Sequence, residues 1–513
     1  MKSKTKLWIR SLSLIMAVLM LGAAFCACDS DDEPVETTPT ESGVEAPTET
    51  VDVLEGVSYN GETLYMLAWE PSNLEERIEA FSTDLGIVEK DTYTRLENTK
   101  KQLNINVDWT EIPGNGVNMT SYVTEAINGN LSGSYDLFCC YSACAATLTA
   151  NGAAKNLLAF KTMDFTQPWW PSNLYQDCII NNKLYFCTGD ISTNLVYMTS
   201  LVFFNKNLVE EFKINETIFN EYGEEDIYAL VREGKWTHES LITLTKGVFS
   251  EKDGISGATD DDLYGFNTYS TLLANFYHGA GFRVIESTEN GLALSEDYLD
   301  TDIVTSILGD IGNFIHSSGY SYYGGSDYRA ARDRFAKGLA VFSLAPASHA
   351  WGKHNSVSGL EYGAIPVPKY NVSQESYLSV HSIPYSMYVV ASAAAYPEIA
   401  GSFLQCLGKW SYETTKLSIY ETTMKGRYAD GQDDVEMWEL IIDSQTFDMG
   451  RVFQTQFEHK GSSGTVTHYN TNLFAKRLGD AKYDDWASLM AKYDDEIKGQ
   501  ITEVNALLSR LPD

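Results

Sequence analysis

The chain has 513 residues, enough for two large lobes each with its own core, and carries 37 Lys and Arg against 70 Asp and Glu, a formal net charge of −33. So acidic a surface repels phosphate backbones and anionic membrane surfaces, which excludes nucleic acid as a partner. With 44% hydrophobic and 12% aromatic residues, most of the chain is expected to fold, with the acidity on its surface.

At the amino terminus, Lys2, Lys4, Lys6 and Arg10 precede an apolar run over residues 12–25, broken only by Ser13 and Gly22, and Cys26-Ala27-Cys28 follows. This is the n-region, h-region and processing site of a lipoprotein signal peptide over residues 1–28. The run is short for a membrane span, which needs roughly 20 apolar residues, and the polar stretch from Asp29 to Glu33 follows it directly. Diacylation requires a Cys after a small residue, so Cys28 after Ala27 is preferred as the lipidation site, with Cys26 as the alternative. Residues 29–56 are rich in Asp, Glu, Thr and Pro and lack Lys and Arg, which predicts a disordered acidic linker between membrane and folded body.

Beyond the linker, apolar runs at residues 61–69, 105–109, 136–141, 201–205, 340–344 and 387–391 read as strands. Helical stretches, among them 72–85 and 120–128, separate them. Such alternation predicts α/β lobes with mostly parallel sheets. Three segments that mix turn residues with aromatics, 188–199, 348–360 and 410–423, read as connections between lobes, with the ligand in the cleft they border. Six further cysteines, Cys139, Cys140, Cys144, Cys178, Cys187 and Cys406, read as buried small hydrophobes, with disulfide pairing the alternative.

Motifs for catalysis are absent. There is no G-x-S-x-G, no P-loop and no G-x-G-x-x-G after a strand. His238-Glu239 begins like H-E-x-x-H, but Ile242 stands where the second His is needed, so Thr237 reads instead as a helix N-cap. Carboxylate pairs carry no information in a chain with 70 acidic residues. Asp253 with Asp260, Asp261 and Asp262 fails the spacing of a calcium loop and reads as a solvated turn, so neither a metal nor a cofactor is expected.

Several phrases together resemble the extracellular solute-binding protein family 1, the carbohydrate-binding lipoproteins of ABC importers. They include QPWWPSN at 167–173, NKLYFCTGDIS at 182–192, LVFFNKNLVEEF at 201–212, REGKWTHESL at 232–241 and DLYGF at 262–266. FAKGLAVF at 335–342, YGAIPVPKY at 362–370, PEIAGSFLQCL at 397–407 and KGRYADGQDDVEMWELI at 425–441 continue the order. The resemblance implies a two-lobed periplasmic-binding-protein-like α/β fold of type II, with lobe 1 at 57–190 plus 358–412 and lobe 2 at 191–357 plus 413–513. It further implies a monomeric, non-enzymatic receptor on the outer face of the cell membrane, which captures a saccharide and passes it to the permease transmembrane subunits. A surface glycoside hydrolase and a receptor for a non-sugar solute are the alternatives.

A sugar offers hydroxyls and a flat C–H face, so its site needs aromatic platforms beside hydrogen-bonding groups. Strand ends and lobe connections supply the candidates: Trp69, Glu70, Tyr141, Ser142, Tyr197, Thr199, Tyr277, His278, Trp351, Ser382 and Tyr385. Trp169 and Trp170 are expected to pack beneath the cleft edge and are left out of the site.

Overall fold

The computed structural model describes residues 52–71, 74–419, 431–460, 466–468, 471–482 and 486–511. The signal peptide with Cys28, nearly all of the linker and the end of the connection at 410–423 lie outside them. Residues from Val53 onward form one unit.

The first sheet is built from β1 (Thr63–Trp69), β2 (Asn106–Ile112), β3 (Leu137–Tyr141) and, far along the chain, β12 (Ser386–Val390), in the order β12-β3-β1-β2. β1 is parallel to both neighbours, so Met66 sits between Trp109 and Leu137. β3 and β12 are near-continuously apolar because every residue of both is buried, whereas β2 at the edge has no buried residue. The helices Ile87–Leu103 and Met119–Ser132 connect these strands.

The second sheet uses β4 (Ser200–Asn205), β5 (Phe249–Ser250), β6 (Leu263–Thr268), β9 (Ser321–Tyr323), β10 (Ala340–Pro346) and β11 (Tyr362–Ile365). Between them in sequence lies the small hairpin β7 (Ile285–Thr288) and β8 (Gly291–Leu294). Here the expected parallel arrangement fails, because β4 runs antiparallel to both β10 and β11. The cause is topological. β4 enters directly from the connection at 188–199, so its first residue, Ser200, lies opposite Pro346, the last residue of β10. The parallel strands β6 and β10 end at that same edge.

The connections also differ from the sequence reading. Residues 348–360 form the helix Ser348–Gly352 and a turn at His354–Ser356 between β10 and β11, two strands of one sheet, and so do not cross between sheets. The passage back to the first sheet lies between β11 and β12, so residues 358–385, expected in lobe 1, include a strand of the second sheet. The helix expected at 72–85 is not formed in its described part, and helix begins only at Ile87. Asn194 accounts for this. Its side chain accepts from the Leu74 N–H at 3.2 Å and donates to the Leu74 carbonyl at 2.9 Å, so the acceptor that the first helical turn would use is already taken.

That contact belongs to a buried polar knot joining the first lobe to the connection at 188–199. Glu76 Oε1 accepts from Ser192 Oγ at 2.6 Å, from the Asn194 N–H at 3.1 Å and from its side-chain amide at 3.0 Å. Arg77 donates to the Trp69 carbonyl at 2.8 Å and lies 4.0 Å from Glu76 Oε2. Arg95, fully buried, donates to the carbonyls of Glu76 at 2.9 Å and Asp190 at 3.3 Å and to Ser411 Oγ at 3.0 Å. Removing one member strands the others in a medium that does not solvate charge. Glu76→Ala is therefore expected to cost about 3–5 kcal/mol in urea unfolding. Glu111→Ala, which removes only the more exposed partner of Arg77, is expected to cost about 1 kcal/mol.

Candidate functional site

Thr199 is where the second-sheet loops meet. Its carbonyl accepts the Ala347 N–H at 2.9 Å, its backbone bridges to His381, and its hydroxyl accepts from the Gln445 side chain at 3.1 Å. One residue earlier, the Met198 carbonyl accepts the Ser382 N–H at 2.8 Å. The loop after β10 and the passage toward β12 are thereby held against the crossing helix Thr193–Tyr197. Tyr197 stacks on Trp351, ring centroids 4.1 Å apart and 20° from parallel, and Leu74 and Val88 from the first lobe pack against the same cluster.

The buried polar atoms around this junction that have no partner among the described residues include Ser382 Oγ, Trp351 Nε1, His349 Nδ1 and His381 Nε2. Each such atom costs about 1–3 kcal/mol unless something bonds it. His381 also stacks on Phe447 at 5.2 Å, and its carbonyl accepts from Arg451 at 2.7 Å. Ser142, Tyr385, His381, Ile383 and Arg451 line a small recess here. The Ser142 N–H donates to the Tyr385 carbonyl at 2.9 Å, and its hydroxyl donates to the Ile383 carbonyl.

The structure therefore brings Tyr197, Thr199, Trp351, Ser382, Ser142 and Tyr385 to the junction. Others of the expected site it assigns to packing. Trp69 is fully buried, donates to Ser386 Oγ at 2.7 Å and meets Tyr141 edge to face at 5.3 Å. Glu70 is exposed just beyond β1, its N–H bonded to the Ile112 carbonyl. Tyr277 and His278 are core residues: Tyr277 packs on Phe282, Tyr298 and Phe474 and bonds the Arg283 carbonyl at 3.0 Å, while His278 Nδ1 lies 3.2 Å from the Phe282 carbonyl. Both are corrections to the sequence reading, which saw an aromatic and a polar residue before glycines but not the aromatic layer beneath them. Conversely, His349, His381 and Arg451 were missed. His381 adjoins Ser382, the one available signal, whereas Arg451 arrives from a segment distant in sequence.

No family model matches the chain, and neither does any curated protein sequence. Among solved structures, it is similar to the galacto-N-biose-/lacto-N-biose I-binding protein of the ABC transporter from Bifidobacterium longum in complex with lacto-N-biose, with a TM-score of 0.53, 12% identity, and coverage of 86% of this chain and 99% of that one. A cyclo/maltodextrin-binding protein complexed with maltotetraose gives a TM-score of 0.52 at 10% identity, over 87% of this chain and 96% of that one. The cyclic alpha-maltosyl-1,6-maltose binding protein from Arthrobacter globiformis gives 0.50 at 14% identity, over 87% and 98%. The fold is that of the two-lobed type II periplasmic binding proteins.

Within this two-lobed fold, burial sets the protonation of the histidines. It depresses His238, His354 and His381 to about 3, and His278 and His349 well below the usual imidazole range. All five fold as neutral rings. An unfolded imidazole takes up a proton near 6.5, so the stability these residues contribute is complete above that pH and is lost as pH falls toward 3, by up to about 1.4 kcal/mol per unit for each. Asp190 has the opposite sign: burial, opposed by Lys416, raises it from 3.8 to about 6, so it offsets part of the loss between those values. A melting temperature that declines from pH 6.5 to 4.5 is expected, and a flat profile would contradict the neutral assignment.

Proposed function

We propose that the chain is the substrate-binding component of an ABC importer, taking a sugar or oligosaccharide between its lobes and passing it to the permease transmembrane subunits. The observation that carries the reading is the set of unpartnered atoms, Ser382 Oγ, Trp351 Nε1 and His349 Nδ1, beside the stacked Tyr197–Trp351 pair. A ligand with several hydroxyls offers the donors and acceptors that such atoms lack, and a C–H face that suits an aromatic ring. Capture by such a site needs no reacting group. Asp448, the carboxylate nearest the recess, is committed to helix capping, accepting the N–H groups of Val284 and Arg451 at 2.9 Å. The similar structures are binding proteins whose ligands are lacto-N-biose, maltotetraose and a cyclic maltosyl-maltose, which supports a saccharide and a non-enzymatic role.

In this reading Cys28 carries the lipid, the acidic linker spaces the receptor from the outer face of the membrane, and the protein acts as a monomer without metal or cofactor. Lobe closure about the connections would complete the site, as ligand contacts made by both lobes favour the closed state.

Titration calorimetry with a panel of intact mono- and oligosaccharides tests the site. Trp351→Ala is expected to weaken affinity by about 30-fold or more, and Ser382→Ala by about fivefold, with the melting temperature of the free protein little changed. Unchanged affinity in both variants would reject the assignment, and cleavage of the sugar would reject the receptor role. For the anchor, Cys28→Ala is expected to abolish incorporation of a labelled palmitate analogue and shift the protein from membrane to soluble fraction. Labelling that instead persists would place the lipid on Cys26.

A further inference from the structure

A separate cavity of about 480 Å³ lies against the same crossing helix, lined by its Leu195 and Val196 and by none of Tyr197, Trp351, His381, Ser382 or Arg451. Trp169 and Trp170, set aside in the sequence reading as packing, form much of its wall together with Tyr175, Asn173, Lys416 and Gln445. The two tryptophans are not equivalent. Trp170 is 3% exposed and donates its indole N–H to Gln405 Oε1 at 3.1 Å, as a structural tryptophan does. Trp169 is 9% exposed, and its N–H has no partner among the described residues. Its ring is nevertheless fixed: it lies so close to Gly408 that a Cβ there would fall 2.3 Å from its Cδ1, and Gly189 approaches its carbonyl equally closely.

Polar groups on the wall are also held in place. Lys416 bonds the Asp190 carboxylate at 3.2 Å and lies over the Tyr412 ring at 4.8 Å. Asn173 donates its amide to the Gln445 carbonyl at 2.6 Å, which leaves its side-chain oxygen as an acceptor. The charges on the lining are Asp190, Lys416 and the exposed Asp443, so the one cation is already paired and an anion gains nothing. What the wall offers is flat aromatic surface and a fixed acceptor, in a volume typical of small-molecule sites.

We propose that this cavity is a second binding site, for a neutral polyhydroxylated ligand of mono- to disaccharide size, independent of the site at the Tyr197–Trp351 junction. Hydroxyl-radical footprinting of the full chain, read by mass spectrometry at Trp169 and Trp170, tests it with D-glucose, maltose and choline as probes. Glucose or maltose is expected to protect both tryptophans, and to do so equally in the Trp351→Ala variant, where the junction site is impaired. Gln176→Trp, which puts a bulky ring on an exposed lining residue of the helix Ser172–Cys178, is expected to abolish protection. Absence of protection by both sugars, or protection that Trp351→Ala abolishes, overturns the second site. Protection by choline alone overturns the ligand class.

Discussion

Glu76 is the residue on which the junction depends. One of its carboxylate oxygens takes three hydrogen bonds from Ser192 and Asn194, and its backbone carbonyl takes a fourth from Arg95. A carboxylate so deeply buried survives only because these donors replace water. The consequence is positional. Ser192 in turn accepts the Ser386 N–H at 3.1 Å, so the start of β12, the connection at 188–199 and the loop after β1 are registered against one another. Since β4 begins at Ser200, a shift in this knot would move the whole second sheet relative to the first.

From that registration the site follows. Tyr197 and Thr199 lie immediately after the knotted segment, and Thr199 gathers Ala347, His381 and Gln445 around it. The aromatic pair and the unpartnered atoms therefore sit where both lobes contribute: Trp351 and Ser382 from loops at the edge of the second sheet, Ser142 and Tyr385 beside the first. The knot thus fixes the position of loops that carry unpartnered polar atoms of their own, Ser382 Oγ and Trp351 Nε1 among them, so support and junction are set by one group of contacts.

Much of this was legible in the sequence, and what was not has specific causes. All six expected strands formed: β3, β4, β10 and β12, buried on both faces, declare themselves as short apolar runs, whereas β2 lies at the sheet edge with no buried residue. Thr237 caps the helix His238–Thr245, and Pro397 opens the helix Pro397–Trp410. The helix expected at 72–85 failed because its decisive partner, Asn194, lies more than a hundred residues away, and no local propensity encodes that. Strand direction in the second sheet was equally hidden, being set by the edge at which the chain enters. Of the site candidates, Tyr197 and Thr199 lie at the junction because they belong to the first connection itself, whereas Tyr277 and His278 were drawn into an aromatic core made with Tyr298 and Phe474, whose proximity only the fold creates.

The tryptophans show how much such distinctions rest on single atoms. Trp69, Trp170, Trp236 and Trp410 each give their indole N–H to an acceptor, respectively Ser386, Gln405, Pro366 and Gln102. Trp169, Trp351 and Trp486 do not. Trp486 is sealed in the core, edge to face with Tyr298 at 5.2 Å, where its unmet donor is a cost of packing that no ligand can reach. Trp351 is only half-buried at the lobe junction, and Trp169 borders a solvent-opening cavity. An unmet donor thus carries functional meaning only together with open surroundings, and Trp486, enclosed by the core, has none.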